Sequence, residues 1–144
     1  MNKTLSISLA IAILVAVACI GYIIAIPTQS GKFTEFYILN TEGKAENYQA
    51  HVTIGKPIAV IIGIVNNEYA PISYRVVITV DGIKNKEINI GGLAHQEKWQ
   101  ETVSFTLNKV GDNRKVEFWL YKNGEIEPYL KDPLRLFIDV IKPY

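Results

Sequence analysis

The residues able to do chemistry are few and scattered along the chain. His51 and His95 are the only histidines, and they lie far apart, without the cluster of His, Cys, Asp or Glu ligands that a zinc site requires. No metal or other cofactor is expected. His95, inside Gly91-Gly92-Leu93-Ala94-His95-Gln96-Glu97, reads as a solvated loop residue. Ser73 and Ser104 lie in strand-like runs without the strained Gly-x-Ser-x-Gly elbow of a nucleophile, and the one cysteine, Cys19, sits in an apolar run. Asp112, Asp132 and Asp139 could act as acid and base only if folding set one against a Glu. Asp112 is better explained as a turn residue and Asp132 as the residue before Pro133. Calcium-loop spacing and a glycine-rich loop opening a helix are both absent. These patterns predict a protein that is not an enzyme.

Binding chemistry is better represented. Between residues 115 and 122 the alternation points Val116, Phe118 and Leu120 inward and Lys115, Glu117, Trp119 and Tyr121 outward. In 134–141 it points Leu134, Leu136, Ile138 and Val140 inward and Arg135, Phe137, Asp139 and Ile141 outward. If the run 72–80 lies beside them, Arg75 and Val77 join the outer face. The expected patch is Trp119, Tyr121, Phe137 and Val77 flanked by Arg75, Arg135 and Glu117, a mixture common at protein interfaces. The competing reading is that the stem or the 125–131 connection folds over it. A second candidate is the loop Asn66-Asn67-Glu68-Tyr69, because loops on rigid strands carry much recognition. Its plainer reading is a turn in which the Asn side chains bond the backbone.

The elements that must position these residues are strands. Phe33–Leu39 is the first, closed by Asn40-Thr41-Glu42-Gly43. Tyr48–Ile54 is a weaker strand; Ile58–Val65 is a continuous apolar run, buried on both sides or bulged at Gly63. Ile72–Val80 puts Tyr74, Val76, Ile78 and Val80 on one face, and Asp81-Gly82 turns it into Ile83–Ile90. Trp99–Leu107 has a polar face of Gln100, Thr102, Ser104 and Thr106. Gly111-Asp112-Asn113 turns the chain into Lys115–Lys122, Asn123-Gly124 turns it again, and Leu134–Ile141 closes the series. The spacing predicts an all-β fold, an antiparallel Ig-like or fibronectin-like sandwich of seven or eight strands. The paired cysteines of antibody domains are missing.

Before the strands, Leu5–Ile26 is apolar except for Ser6, Ser8, Gly21 and Tyr22. A helix of this length reaches about 33 Å, enough for a hydrocarbon core of about 30 Å. The expected organisation is a transmembrane signal-anchor over 1–26, a stem over 27–32 opened by Pro27, and a β domain over 33–144. Ala16-Val17-Ala18 before Cys19 also resembles a cleavage site, but a signal-peptide core would end there, and Ile20–Ile26 extends it. Lys3 before the run and Lys32 and Lys44 after it do not fix orientation; analogy favours a β domain outside the cytoplasm. A formal charge of +1 over 144 residues, without a Lys/Arg cluster, gives no footprint for nucleic acid.

Several segments together carry a resemblance: Phe33-Thr34-Glu35-Phe36-Tyr37-Ile38-Leu39, Gly43-Lys44-Ala45-Glu46-Asn47-Tyr48, Gly63-Ile64-Val65-Asn66-Asn67-Glu68-Tyr69 and Glu117-Phe118-Trp119-Leu120-Tyr121. They resemble the C-terminal domain of an archaeal membrane-protein family known as domain of unknown function 1616. The resemblance implies an archaeal source and an extracytoplasmic setting, and it supplies no activity. Members often carry several membrane helices, whereas this chain offers one apolar run. The leading expectation is a single-pass protein of the cell membrane whose β-sandwich is an interaction or assembly module at the cell envelope, docking a protein or a second copy. A surface-filament or motility subunit is an alternative, although Met1-Asn2-Lys3-Thr4 lacks a pilin-type processing signal. A carbohydrate-binding module using Trp119 and Tyr121 on a glycan is another.

Overall fold

The computed structural model describes residues 31–143. The expected anchor and most of the stem lie outside them, and among the described residues no helix is long and apolar enough to cross a membrane. Eight strands follow in order: β1 (Phe33–Leu39), β2 (His51–Thr53), β3 (Pro57–Asn67), β4 (Ile72–Val80), β5 (Ile83–Leu93), β6 (Lys98–Thr106), β7 (Gly111–Lys122) and β8 (Leu134–Ile141). They form a three-stranded sheet, β1-β3-β6, and a five-stranded sheet, β2-β8-β7-β4-β5.

Alternation decides which side chains meet between the sheets. Ile58, Val60, Ile62 and Ile64 of β3 are buried, as are Val76 and Ile78 of β4, Val116, Phe118 and Leu120 of β7, and Ile138 and Val140 of β8. Phe105 of β6 meets Phe118 of β7 edge-on, with centroids 6.0 Å apart. This contact ties one sheet to the other, and each such ring contributes about 1.5–3 kcal/mol by burial.

Four departures from the sequence expectation have local causes. First, the sandwich is not wholly antiparallel, because β2 pairs parallel to β8 (Val52 with Val140). No hairpin joins these strands, so turn geometry does not dictate their direction. Second, the expected strand 48–54 shrinks to three residues, while Tyr48 spends its hydroxyl on the Ile38 carbonyl at 2.8 Å. Third, Gly63 is not a bulge: β3 keeps unbroken register with β1 and β6. Gly63 lies opposite Tyr37, whose ring lies across it, so that a methyl group there would overlap the ring. The Tyr37 hydroxyl then reaches Gln100 Oε1 at 2.7 Å. Fourth, 111–113 is part of β7, where the register with β8 shifts between Gly111 and Arg114 and the Asn113 N–H bonds Asp139 Oδ1 at 2.7 Å.

Candidate interaction face

The outer surface of the five-stranded sheet is built by register. Arg75, Val77 and Thr79 of β4 stand opposite Tyr121, Trp119 and Glu117 of β7. On the other side of β7, Glu117 faces Arg135 and Lys115 faces Phe137 of β8. The seven residues singled out from the sequence therefore do share one face, but they do not form one open patch.

Val77 is only 8% exposed, which corrects its expected place in the surface. It lies between Trp119 on β7 and Glu87 on β5, and these larger neighbours close over it. Trp119 is half-buried and donates its indole N–H to Thr79 Oγ1 at 3.1 Å. The Arg75 guanidinium lies 4.0 Å from the centre of the Tyr121 ring, a cation–π placement. It also bonds Glu87 Oε1 at 3.0 Å and the Glu125 carbonyl at 3.1 Å. Lys84 first, and Arg75 second, hold the Glu87 carboxyl below its ordinary range. Thr79, Gly82, Glu117, Trp119, Tyr121 and Pro128 line a shallow cleft of about 390 Å³. Pro128 brings the connection between β7 and β8 to its wall, so the aromatic half of the face is partly covered by the chain itself.

A charged row divides that cleft from the rest of the face. Glu117 is 6% exposed despite pointing outward; Lys115 Nζ at 3.6 Å and Arg135 Nε at 3.3 Å accompany it. A buried carboxylate is retained only with such partners. Beyond this row Phe137 stands 56% exposed, with Ile141 and Val110 also open. Val110 and Ile141 flank the Gly111–Val140 pair at one end of the β7–β8 ladder, whereas Phe137, opposite Lys115, lies in its middle.

The second candidate is mainly structural. Asn66 and Asn67 end β3 rather than opening a loop. Asn66 is 0% exposed: its Nδ2 donates to the Ala70 and Leu93 carbonyls, and its Oδ1 accepts the Glu68 N–H, all at 2.8 Å. Its backbone bonds Glu97 and Gln96. Tyr69, at φ +60°, is exposed, stacks on His95 at 4.3 Å, and gives its N–H to His95 Nδ1.

One cluster was not foreseen from the sequence, which singled out Glu68 only as part of a loop. Glu68 Oε2 accepts from Thr34 Oγ1 and Lys122 Nζ, each at 2.7 Å, and Thr34 Oγ1 lies 2.7 Å from the Tyr74 hydroxyl. Lys122 stands 4.4 Å from the Tyr129 ring centre. Burial pushes the Tyr74 phenol up, Thr34 pulls it back, and the nearby Glu68 carboxylate adds to the rise. No local motif could reveal this network, since its members lie on separate strands and connections; the inward parity of Tyr74 and the loop position of Glu68 were its only traces.

Taken together, the two sheets define an Ig-like β-sandwich with a self-paired polar network and an outer aromatic face. The chain belongs to the family described as Domain of unknown function (DUF1616), whose model matches residues 27–138. Among solved structures it is similar to the CARDB domain of the PF1109 protein from Pyrococcus furiosus in complex with di-metal ions. That likeness has a TM-score of 0.57 at 12% identity, covering 81% of this chain and 100% of that one. A solution structure of the same CARDB domain gives a TM-score of 0.54 at 13% identity, covering 76% and 97%. These likenesses show the fold. No curated protein sequence matches the chain significantly.

Proposed function

We propose that this protein is a non-catalytic interaction module of the cell envelope. Its apolar residues 5–26 hold it in the membrane, and its extracytoplasmic sandwich docks another protein through the outer face of the five-stranded sheet. The observation that carries the reading is Phe137: a regular strand position opposite Lys115, 56% exposed, with Ile141 on the same face of β8 also exposed. A large aromatic left open beside paired charges is the composition of an interface core with its polar rim. Membrane tethering raises the local concentration of the module near other envelope proteins, so that a modest patch suffices.

The glycan reading draws less support. A sugar ring stacks on an open aromatic face, but Arg75 covers Tyr121 and Trp119 is half-buried beside Pro128. The metal ions of the Pyrococcus furiosus domain have no counterpart in this reading either. Among the described residues no group of three or more His, Cys, Asp or Glu side chains is placed to hold a metal ion.

Photocrosslinking in native membranes tests the proposal. A crosslinker at Phe137 is expected to give a discrete adduct, one at Thr102 on the outer face of the other sheet is expected to give none, and Phe137→Ser is expected to abolish capture from a neighbouring crosslinker at Ile141. Equal labelling from Phe137 and Thr102 would sink the reading.

A further inference from the structure

Among the described residues β1 is an edge of the three-stranded sheet. Asn66, opposite Thr34, turns its N–H to Glu97, and Thr34 turns its own to the Tyr129 hydroxyl at 3.0 Å. By antiparallel alternation, the N–H and C=O groups of Thr34, Phe36 and Ile38 all point away from β3. Two phenols hold the ends of this row. Tyr129 accepts from Thr34 N–H, and Tyr48 donates to the Ile38 carbonyl at 2.8 Å. Among the described residues, none bonds the Thr34 carbonyl, either backbone group of Phe36, or the Ile38 N–H.

The other edges are blunted by other means. On β6, the Ser104 and Thr106 carbonyls accept from Lys86 and Asn85 side chains at 2.6 and 2.8 Å. The register of β5 with β4 is twice broken, and β2 is three residues long. β1 has no proline, no lysine and no register shift, only Glu35 as a charge. An edge strand of unbroken register is a template for strand addition.

We propose that the β1 edge is an interaction surface for the β1 edge of a second copy of this chain, held shut by Tyr48 and Tyr129 acting as latches. The occupant follows from self-complementarity. With a two-fold axis at Phe36, its N–H and C=O meet the C=O and N–H of Phe36 in the second copy, and the open Ile38 N–H meets the open Thr34 carbonyl. The remaining facing pair is Thr34 N–H with the Ile38 carbonyl, the two groups the phenols occupy. Each hydroxyl stands where the second copy's backbone atom would come, so pairing requires both latches to withdraw. This surface is distinct from the Phe137 face and stands or falls separately from it.

Sedimentation of the full chain in mild detergent, with amide hydrogen exchange on the same samples, tests this. Wild type, Tyr48→Phe and Tyr129→Phe are expected to be monomers, because Thr34 of one copy faces Ile38 of the other and either remaining latch blocks both. Tyr48→Phe with Tyr129→Phe is expected to dimerise, and the amides of Thr34, Phe36 and Ile38 then slow by about tenfold or more. A monomeric double variant, or a dimer whose β1 amides exchange as in wild type, overturns the proposal. Wild type alone provides a second check should the double variant not fold: its Phe36 amide must exchange faster than its Thr34 amide, and the reverse order overturns the open edge.

Discussion

Replacing Asn66 with Ala isolates what the end of β3 does. The side chain is fully buried and makes three bonds at 2.8 Å, two donated and one accepted. Alanine removes the side-chain donor to the Leu93 carbonyl in a buried place, the donor to the Ala70 carbonyl in a more exposed one, and the acceptor of the Glu68 N–H. A buried group stripped of its partner costs about 1–3 kcal/mol, and a partly solvated one less. The expected loss is therefore about 3–5 kcal/mol, a large part of the about 5–15 kcal/mol typical of a domain. Asn66→Asp keeps the acceptor for Glu68 but sets a carboxylate against two carbonyls, so at neutral pH it should cost at least as much. Urea denaturation of the full chain in mild detergent reads this directly, because both tryptophans, Trp99 and Trp119, report on the sandwich. A loss below about 1 kcal/mol for Asn66→Ala would refute the keystone role, since that is the scale of a single exposed hydrogen bond.

Three further outcomes are expected. Gly63→Ala should destabilise by about 1–3 kcal/mol by displacing the Tyr37 ring, and most of that loss should vanish in a Tyr37→Ala background; additive losses would contradict the close approach. Asp81 accepts the Lys115 N–H at 3.0 Å and pairs with Arg114, the first of these being the larger cause of its lowered pKa. Its contribution is thus present above the unfolded carboxyl pKa and is lost as pH falls through the lower folded value. Asp81→Asn, which keeps the turn, should therefore be less stable than wild type at neutral pH and should converge with it in strong acid; a gap that persists or widens with acid would count against the linkage. Finally, Trp119→Ser should lower the denaturation midpoint through lost packing and the Thr79 bond, whereas Phe137→Ser should leave it nearly unchanged. Equal shifts would show that Phe137 is packed rather than open.

Local periodicity explains how much of the sandwich was legible. The inward sets of β4, β7 and β8 follow from a strict period of two, and Asp81-Gly82 and Asn123-Gly124 mark hairpin-type turns, with positive φ at all four residues. Where alternation is weak the reading faltered. The segment around Tyr48 looks strand-like but contributes only His51–Thr53, because its pairing partner is β8, at the far end of the chain. Gly63 carries two local meanings, bulge or close approach, and only the position of Tyr37 on the neighbouring strand selects between them. Val77 shows the same limit for the site: its outward parity was correct, yet exposure depends on the size of Trp119 and Glu87 across two ladders.

The sequence by itself determined the all-β class, the inward and outward parity of the strong strands, the family, and the poverty of catalytic groupings, since each is written in residue type and short-range spacing. Tertiary structure decided what the outward residues face. It split the aromatic face at the Glu117 row, made Asn66 a buried keystone, gathered Thr34, Glu68, Tyr74 and Lys122 into one network, and set Tyr48 and Tyr129 against the edge of β1. Those outcomes depend on which strands become neighbours, and the pairings of β1 with β3, β3 with β6 and β4 with β7 join segments apart in sequence that no local pattern encodes.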